Sequence, residues 1–130
     1  MISHLDHLVL TVSDIQESID FYTSVLGMTE ITFGDNRKAI QFGNQKINLH
    51  QIGLEVKPHA NSPQPGSSDL CFITTVPIQQ FIENLKKYNI CIIDGPVERT
   101  GSKSKLLSVY FRDPDKNLIE VANQIENTQL

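Results

Sequence analysis

The chain has 130 residues, of which 39% are hydrophobic and 20% charged, and its formal net charge is −4. This length and composition predict one globular domain with its own core, and exclude disordered and fibrous classes. The basic residues are scattered apart from the short segment ERTGSKSK, which argues against nucleic acid as a partner.

The first half predicts the element order βαβββ over residues 4–53. HLVLTV is a strand, and SDIQESIDFYTSVLGM is a helix with Ser13 or Asp14 as its cap and Gly27 at its end. TEITF, KAIQFG and KINLHQIG are three further strands separated by short turn-rich breaks. The proline-containing segment 54–68 has no periodicity and is expected to connect two halves.

The second half repeats this order over residues 67–124. DLCFITTV is a strand, and PIQQFIENLKKYNI is a helix with Pro77 in its first turn, where a missing N–H is tolerated. CIIDGPVERT holds a short strand, and LLSVYFRD and NLIEVAN form a hairpin around PDK. The shared order of elements favours an internal duplication.

Superposing the halves aligns four side chains that commonly bind metals. His7 aligns with Asp69, 62 residues later, and His50 aligns with Glu120, 70 residues later. Because alternate strand residues point to opposite faces, all four are expected on the face away from the helices. Either chance or a duplicated metal site explains the alignment, and the symmetry favours the metal site.

The segments LDHLVLTV, FYTSVLGM, RKAIQFGNQKINLH, PGSSDLCFIT and YFRDPDKNLIEVAN resemble the vicinal oxygen chelate superfamily. Its members include glyoxalase I, fosfomycin-resistance enzymes, extradiol dioxygenases and bleomycin-binding proteins. The resemblance implies an α+β fold of two βαβββ modules that form a curved, cup-shaped mixed sheet with the helices outside, all within a single domain, 1–130.

The resemblance also implies a divalent metal ion, whether Ni, Zn, Co, Mn or Fe, bound by His7, His50, Asp69 and Glu120. Asp69 departs from the family pattern, in which His or Glu is usual, and its shorter side chain leaves three roles open. It is a ligand, a base or a group that binds a metal-held water. Either Glu120 or Asp69 is the expected catalytic base.

The first functional hypothesis is a glyoxalase-like lyase or isomerase acting on a small oxygenated substrate, either anionic or a glutathione adduct. The alternatives are an extradiol-type Fe(II) dioxygenase and a metal-free protein that sequesters a small molecule. Five basic side chains are candidates for positioning an anionic substrate, although solvated roles are expected for most of them: Arg37, Lys38, Arg99, Lys103 and Lys105.

The remaining expectations concern cellular setting and assembly. No apolar run reaches the ~18–20 residues of a membrane span, and MISHLDHL lacks the features of a signal peptide, so a cytoplasmic protein without membrane contact is expected. A homodimer is expected because a small sheet has open edges. Cys71 and Cys91 are expected to be buried, reduced thiols, while His4 and His59, which lack symmetric counterparts, are expected at the surface.

Overall fold

The order βαβββ occurs twice along the chain, in a computed structural model that describes residues 1–125. The last five residues of the expected domain, 126–130, lie outside the described residues. The described chain divides into two compact units, one formed by residues 1–68 with 114–116, the other by residues 69–113 with 117–125. Two helices and eight strands in two four-stranded mixed sheets confirm the α+β, two-module fold class.

The first unit contains one helix and four strands. They are β1 (His7–Val12), α1 (Ile15–Ser24), β2 (Thr29–Phe33), β3 (Arg37–Phe42) and β4 (Gln45–Gln51). The sheet order is β1-β4-β3-β2, with β1 parallel to β4 and the other pairs antiparallel.

Helix α1 begins and ends where the sequence predicts. The Asp14 carboxylate accepts a hydrogen bond of 3.0 Å from the backbone N–H of Glu17, and Gly27 adopts a φ of 71° just beyond the helix. On its inner side Ile19 and Tyr22 are buried, and the sheet contributes Leu10 and Val12 to the same core. The other face of β1 therefore carries His7, Val9 and Thr11.

The second unit has the same composition of elements. They are β5 (Asp69–Ile73), α2 (Ile78–Lys87), β6 (Asp94–Thr100), β7 (Lys105–Arg112) and β8 (Leu118–Ile125). The sheet order is β5-β8-β7-β6, again with a parallel first pair. Phe81, Ile82 and Leu85 of α2 are buried, and so are Phe111 and Ile119 of the sheet.

Strand β5 ends three residues before the predicted end of the DLCFITTV segment, and Pro77 caps α2 rather than lying in its first turn. The Asn123 side chain explains the difference. Its amide donates to the carbonyls of Thr74 and Val76 at 2.9 and 2.8 Å, and its oxygen accepts from the N–H of Ile78 at 2.8 Å. These bonds hold residues 74–77 as a turn instead of a strand.

The prediction that Cys71 and Cys91 are reduced thiols is confirmed, but the prediction that they are buried is wrong. Cys71 and Cys91 are free thiols, but both are exposed in the chain. Cys71 points away from α2, and Cys91 lies before β6, in a segment that the sequence assigned to a strand. None of the helices in residues 1–125 combines the length and the apolarity needed to cross a bilayer.

Candidate functional site

The two histidines predicted as ligands lie on one face of the first unit's sheet. In the parallel β1–β4 pair, His7 is opposite Lys46 and His50 is opposite Thr11. Residues in register on neighbouring strands share a face, as do alternate residues within a strand. Because Thr11 is four residues after His7 in β1, His7 and His50 are separated by roughly 13 Å along the strand direction.

His50 is buried without a hydrogen-bonding partner. Its relative exposure is 5%, and neither Nδ1 nor Nε2 has a partner among the described residues. Burial lowers the pKa of His50 below its usual range, and the nearby Arg37 charge lowers it further, so the ring is neutral at pH 7. A neutral imidazole with an available nitrogen is the form that binds a metal ion.

A cavity of about 420 Å³ adjoins the His50 ring. Its other walls are Val9 and Thr11 of β1 and a loop segment formed by Pro58, His59 and Ala60. His59 is exposed, as expected, and its Nδ1 lies 2.8 Å from the carbonyl oxygen of Ala60. The cavity gives a small molecule or ion access to the buried imidazole.

His7 is held differently, at the edge of the sheet. Its side chain is 41% exposed, and its Nδ1 lies 2.8 Å from Oδ2 of Asp6. In the neutral ring, Nδ1 donates its proton to this carboxylate, which leaves the lone pair on Nε2. The hydrogen bond lowers the pKa of Asp6, so the carboxylate remains ionised.

The second unit presents Glu120 at the centre of a polar group. The hydroxyl of Ser108, which is fully buried, donates to Oε2 of Glu120 at 2.6 Å. Glu120 is in register with Cys71 on one side and Tyr110 on the other. Asp69, exposed at the head of β5, shares this face and lies two residues from Cys71.

Glu120 also affects the neighbouring acidic groups. Cys71 is exposed as a residue, but its thiol is partly shielded from water by the neighbouring strand, and this shielding and the Glu120 charge raise the pKa of the thiol to about 11. Partial burial likewise raises the pKa of Tyr110. A thiol with this pKa is protonated at pH 7 and is a weak nucleophile. The reactive group of this site is therefore the carboxylate of Glu120 and not the thiol of Cys71.

A cavity of about 480 Å³ lies over this face of the second unit. Glu120, Cys71 and Tyr110 line one side, and the segment from Arg99 to Ser104 lines the other. Arg99 donates to the hydroxyl of Tyr110 at 3.1 Å and pairs with Asp94 at 3.3 Å. Cationic and hydroxyl side chains of this segment thus line the same cavity as the Glu120 carboxylate.

The strand register corrects the alignment of the two halves in their last strand. Gln51 of β4 and Asn123 of β8 are 72 residues apart, and the side-chain amide of each bonds the turn before the helix of its own unit. Gln51 bonds the Ser13 carbonyl at 2.5 Å and the Ile15 N–H at 3.2 Å, as Asn123 bonds the turn before α2. With this offset the counterpart of Glu120 is Asn48 rather than His50.

His50 still lies on the predicted face, because residues two apart in a strand point the same way. Asn48 is itself buried, with a relative exposure of 5%, and its Oδ1 has no partner among the described residues. Asn48 is not among the predicted site residues, although its position in KINLHQ, two residues before His50, places it on the same face.

Ser108 and Tyr110 were also missed. Both alternate with buried residues of β7 and therefore point to the face that carries Glu120. Within residues 1–125, no three His, Cys, Asp or Glu side chains lie close enough together to hold a metal ion. The set His7, His50, Asp69 and Glu120 therefore stays a prediction.

Solved structures of low sequence identity share the fold. Lactoylglutathione lyase from Agrobacterium tumefaciens is 21% identical with a TM-score of 0.70, over 94% of both chains. FosX from Listeria monocytogenes, in complex with Mn(II) and sulfate, is 20% identical with a TM-score of 0.67, over 96% of this chain and 93% of that one. By sequence, Metallothiol transferase FosB from Staphylococcus epidermidis is 29% identical over 92% of this chain and 81% of its own.

Two curated relatives are much more similar. Virulence protein STM3117 from Salmonella typhimurium is 53% identical over 96% of this chain and 87% of its own length, and its crystal structure superposes with a TM-score of 0.94, covering 99% of the crystallised chain. Glyoxalase domain-containing protein RDO1 from Mycosarcoma maydis is 52% identical over 92% of this chain and 67% of its own. The family model for the Glyoxalase/Bleomycin resistance protein/Dioxygenase superfamily matches residues 4–121. The chain belongs to this superfamily.

Proposed function

We propose that the protein is a metal-dependent enzyme acting on a small oxygenated substrate, in the manner of a lactoylglutathione lyase or a related isomerase. The observation that carries the proposal is the buried, neutral imidazole of His50, neither of whose nitrogens has a hydrogen-bond partner within residues 1–125. A buried polar group normally has a partner, so an unpaired one beside a cavity favours a role in binding.

The donor groups suit a divalent transition metal. The proposed ligands are His7, His50, Asp69 and Glu120, two imidazoles and two carboxylates, a set compatible with Ni, Zn, Co, Mn or Fe. The Mn(II) in the FosX structure supports such an ion in this fold. A bound ion would supply Lewis acidity that polarises a substrate oxygen.

Proton transfer is assigned to a carboxylate of the second unit. Ser108 donates to one oxygen of Glu120 at 2.6 Å and so fixes the orientation of that carboxylate. Asp69 is exposed at the head of β5 and is the alternative base. Whichever carboxylate contacts the ion directly is the weaker base, because coordination stabilises its ionised form.

An anionic substrate or a glutathione adduct fits the cavity of the second unit. Arg99 and Lys103 line it, together with the hydroxyls of Thr100, Ser102 and Ser104. Guanidinium, ammonium and hydroxyl donors recognise carboxylate or phosphate oxygens. The proposed enzyme is a homodimer, because the open edges of a small sheet favour pairing of two copies.

Metal content of matched variants tests the ligand set. We expect His50→Ala to lose most of the metal, since it removes a buried ligand, while His59→Ala retains it. Both variants remove an imidazole from the same cavity, so nonspecific binding to histidine affects both equally. Elemental analysis of the purified proteins reads the result, and equal metal content in the two variants contradicts the proposed site.

Activity assays with candidate substrates then distinguish the lyase from the dioxygenase and from a sequestering protein. Conversion of the adduct of methylglyoxal with glutathione, lost in Glu120→Gln, is expected for the lyase. Oxygen uptake with catechols after anaerobic Fe(II) loading would instead indicate an extradiol dioxygenase. Protein that contains no metal after gentle isolation would indicate a sequestering protein.

Thiol transfer is a second candidate, because FosB relatives named metallothiol transferases align over 92% of this chain. It uses the same proposed ligands. Metal-dependent loss of free thiol from a mixture of glutathione and an electrophile, without turnover of the methylglyoxal adduct, would favour it over the lyase.

A further inference from the structure

We propose that residues 56–62 form a movable cover over His50, so that a ligand reaches the ring nitrogens only while this segment, the cover, is displaced from the sheet. The role of the cover in binding rests on the proposed function, in which His50 holds a ligand. The movement itself requires no ligand and is open to direct measurement.

The nitrogens of His50 are closed off in the structure. The ring lines the cavity of about 420 Å³, yet Nδ1 and Nε2 are both buried and have no hydrogen-bond partner in residues 1–125. A ligand atom that bonds to either nitrogen has to approach within about 3.2 Å. Since neither nitrogen is accessible to a water molecule, one wall of the cavity has to move first.

The strand wall of this cavity is held firmly. Val9 and Thr11 belong to β1, which is paired with β4 from His7 to Val12. Displacing β1 would break this pairing and expose Leu10 and Val12, both of which are buried. Burial of one Leu or Val side chain contributes about 1.5–3 kcal/mol, so the β1 wall stays in place.

The cover is the wall with the fewest attachments. Pro58, His59 and Ala60 line the cavity, and every residue of the cover is exposed. Its side-chain hydrogen bonds stay within the segment, because Nδ1 of His59 contacts the Ala60 carbonyl at 2.8 Å and the Asn61 amide donates to the Ser62 hydroxyl at 3.2 Å. Within residues 1–125, no hydrogen bond joins the cover to a strand. Its displacement therefore costs little free energy.

The chain is anchored on both sides of the cover, so the movement is local. Before the cover, the N–H of Leu54 donates to the carbonyl of Gln51 at 2.9 Å. After it, the backbone at Gly66 lies against Asp115, whose carbonyl oxygen a Cβ at this position would approach to 2.6 Å. The cover can therefore swing away from the cavity while β4 and the chain around Gly66 keep their positions.

Acylation by diethyl pyrocarbonate tests the inference, because this reagent modifies an accessible, unprotonated imidazole nitrogen. Full-length protein is treated at pH 7 with EDTA present, and peptide mass spectrometry gives the rate at each histidine. We expect His50 to react about 10–1,000 times more slowly than the exposed His59, since only molecules with an open cover react at His50. Equal rates at the two histidines overturn the inference, because the His50 ring would then have no cover.

Urea distinguishes opening of the cover from unfolding of the chain. Opening exposes little surface, so the ratio of the His50 rate to the His59 rate is expected to change less than about twofold between 0 and 1 M urea. Unfolding exposes the whole core and would raise this ratio at least about fivefold over the same range. A rise of that size overturns the inference, because His50 would then be reached only through unfolding.

Two matched variants locate the moving segment. Asn61→Gly lies in the cover, and Asn44→Gly makes the same change in the exposed turn between β3 and β4. Because glycine favours the more mobile, open segment, we expect the His50 rate to rise about 2–5-fold in Asn61→Gly and to stay within about 1.5-fold in Asn44→Gly. The same rate in both variants overturns the inference. The metal contents of His50→Ala and His59→Ala do not depend on this result, so either proposal can fail alone.

Discussion

The two histidines on the face of the β1–β4 pair are held by different means. His50 is held by burial, and its ring has no hydrogen-bond partner in the described part of the chain, while His7 is exposed and contacts the Asp6 carboxylate. An unsatisfied buried ring destabilises the folded chain unless a ligand pairs with it. The metal-free protein should therefore respond to pH through His50.

We expect the stability of the metal-free protein to fall as the pH drops below about 6.5, the usual pKa of histidine. The folded-state pKa of His50 is lowered, so the unfolded chain binds more protons in this range and acid favours unfolding. The stabilising contribution is complete above pH 6.5. Urea unfolding at pH 7.5 and 5.5 measures the change.

His50→Leu is the matched control, since it removes the titrating ring and keeps the other three histidines. The fall in stability between these two pH values should be smaller in this variant. An unchanged fall would mean that other groups, and not His50, cause the acid sensitivity.

Residue-level prediction worked where strand alternation decides the answer. It placed His7 and His50 on one face and Leu10 and Val12 on the other, because neighbouring side chains point in opposite directions. The contact between Asp6 and His7 was not predicted, because it depends on where β1 starts. The loop beside His50 was not predicted either, because its position depends on contacts between residues distant in sequence.

At the level of elements, the last strand of each unit orders the turn before the helix. Gln51 and Asn123 each bond a carbonyl and an N–H of that turn through one side-chain amide. An amide can do both because it carries a donor and an acceptor. The start of each helix is thereby tied to a strand that carries one of the proposed ligands, His50 in β4 or Glu120 in β8.

The β6–β7 pair contains a register shift between Asp94 and Val97, and Gly95 lies within it with a φ of 98°. A Cβ at this position would overlap the carbonyl oxygen of Ser108 and approach Cα of Val109 to 3.0 Å. We expect Gly95→Ala to lower the free energy of unfolding by more than about 2 kcal/mol, through backbone strain and displacement of β7. Urea unfolding measures the loss.

Gly43→Ala is the comparison, because Gly43 also has a positive φ, 54°, but no atom of the described residues would lie within 4 Å of its Cβ apart from the chain next to it. Its expected loss is about 1 kcal/mol, from the left-handed backbone alone. If both substitutions have the same effect, the overlap with Ser108 is not decisive.

Prediction of the elements succeeded where propensity and tertiary contacts agree. β1 and β2 have the predicted bounds, and Asp14 is one of the two residues expected to cap α1. It failed at TTV after β5 and at CII before β6, where β-branched residues favour a strand. Thr74 and Ile93 each donate one backbone hydrogen bond to a neighbouring strand, to the carbonyls of Ala122 and Tyr110, but the regular strand pairing ends at Ile73 and begins at Asp94. Tertiary hydrogen bonds from Asn123 decide the first case.

At the level of the whole molecule, the two units share an order of elements but have different chemistry. The first offers imidazoles and a cavity of about 420 Å³, and the second offers carboxylates and a cavity of about 480 Å³ lined by a basic segment. The β6–β7 connection, residues 101–104, is one residue longer than the β2–β3 connection, residues 34–36. The added length lies in the segment that lines the second cavity.

A metal that binds only the folded chain must raise its stability. An ion at 100 times its dissociation constant is expected to add about 2.7 kcal/mol, and the melting temperature should rise by several degrees. Thermal unfolding with and without Co(II) measures the rise, which EDTA should reverse. A His50→Ala protein should show little of it, and an equal rise in that variant would place the ion elsewhere.

The location of His7 at the first residue of β1 has a practical consequence for such experiments. Six residues precede it, and an extended segment of that length spans about 20 Å at most. Imidazoles of a polyhistidine affinity handle fused ahead of Met1 can therefore reach the His7 ring and compete with it for a cation. Removing the handle before metal content is measured keeps its imidazoles from binding a cation in place of the proposed ligands.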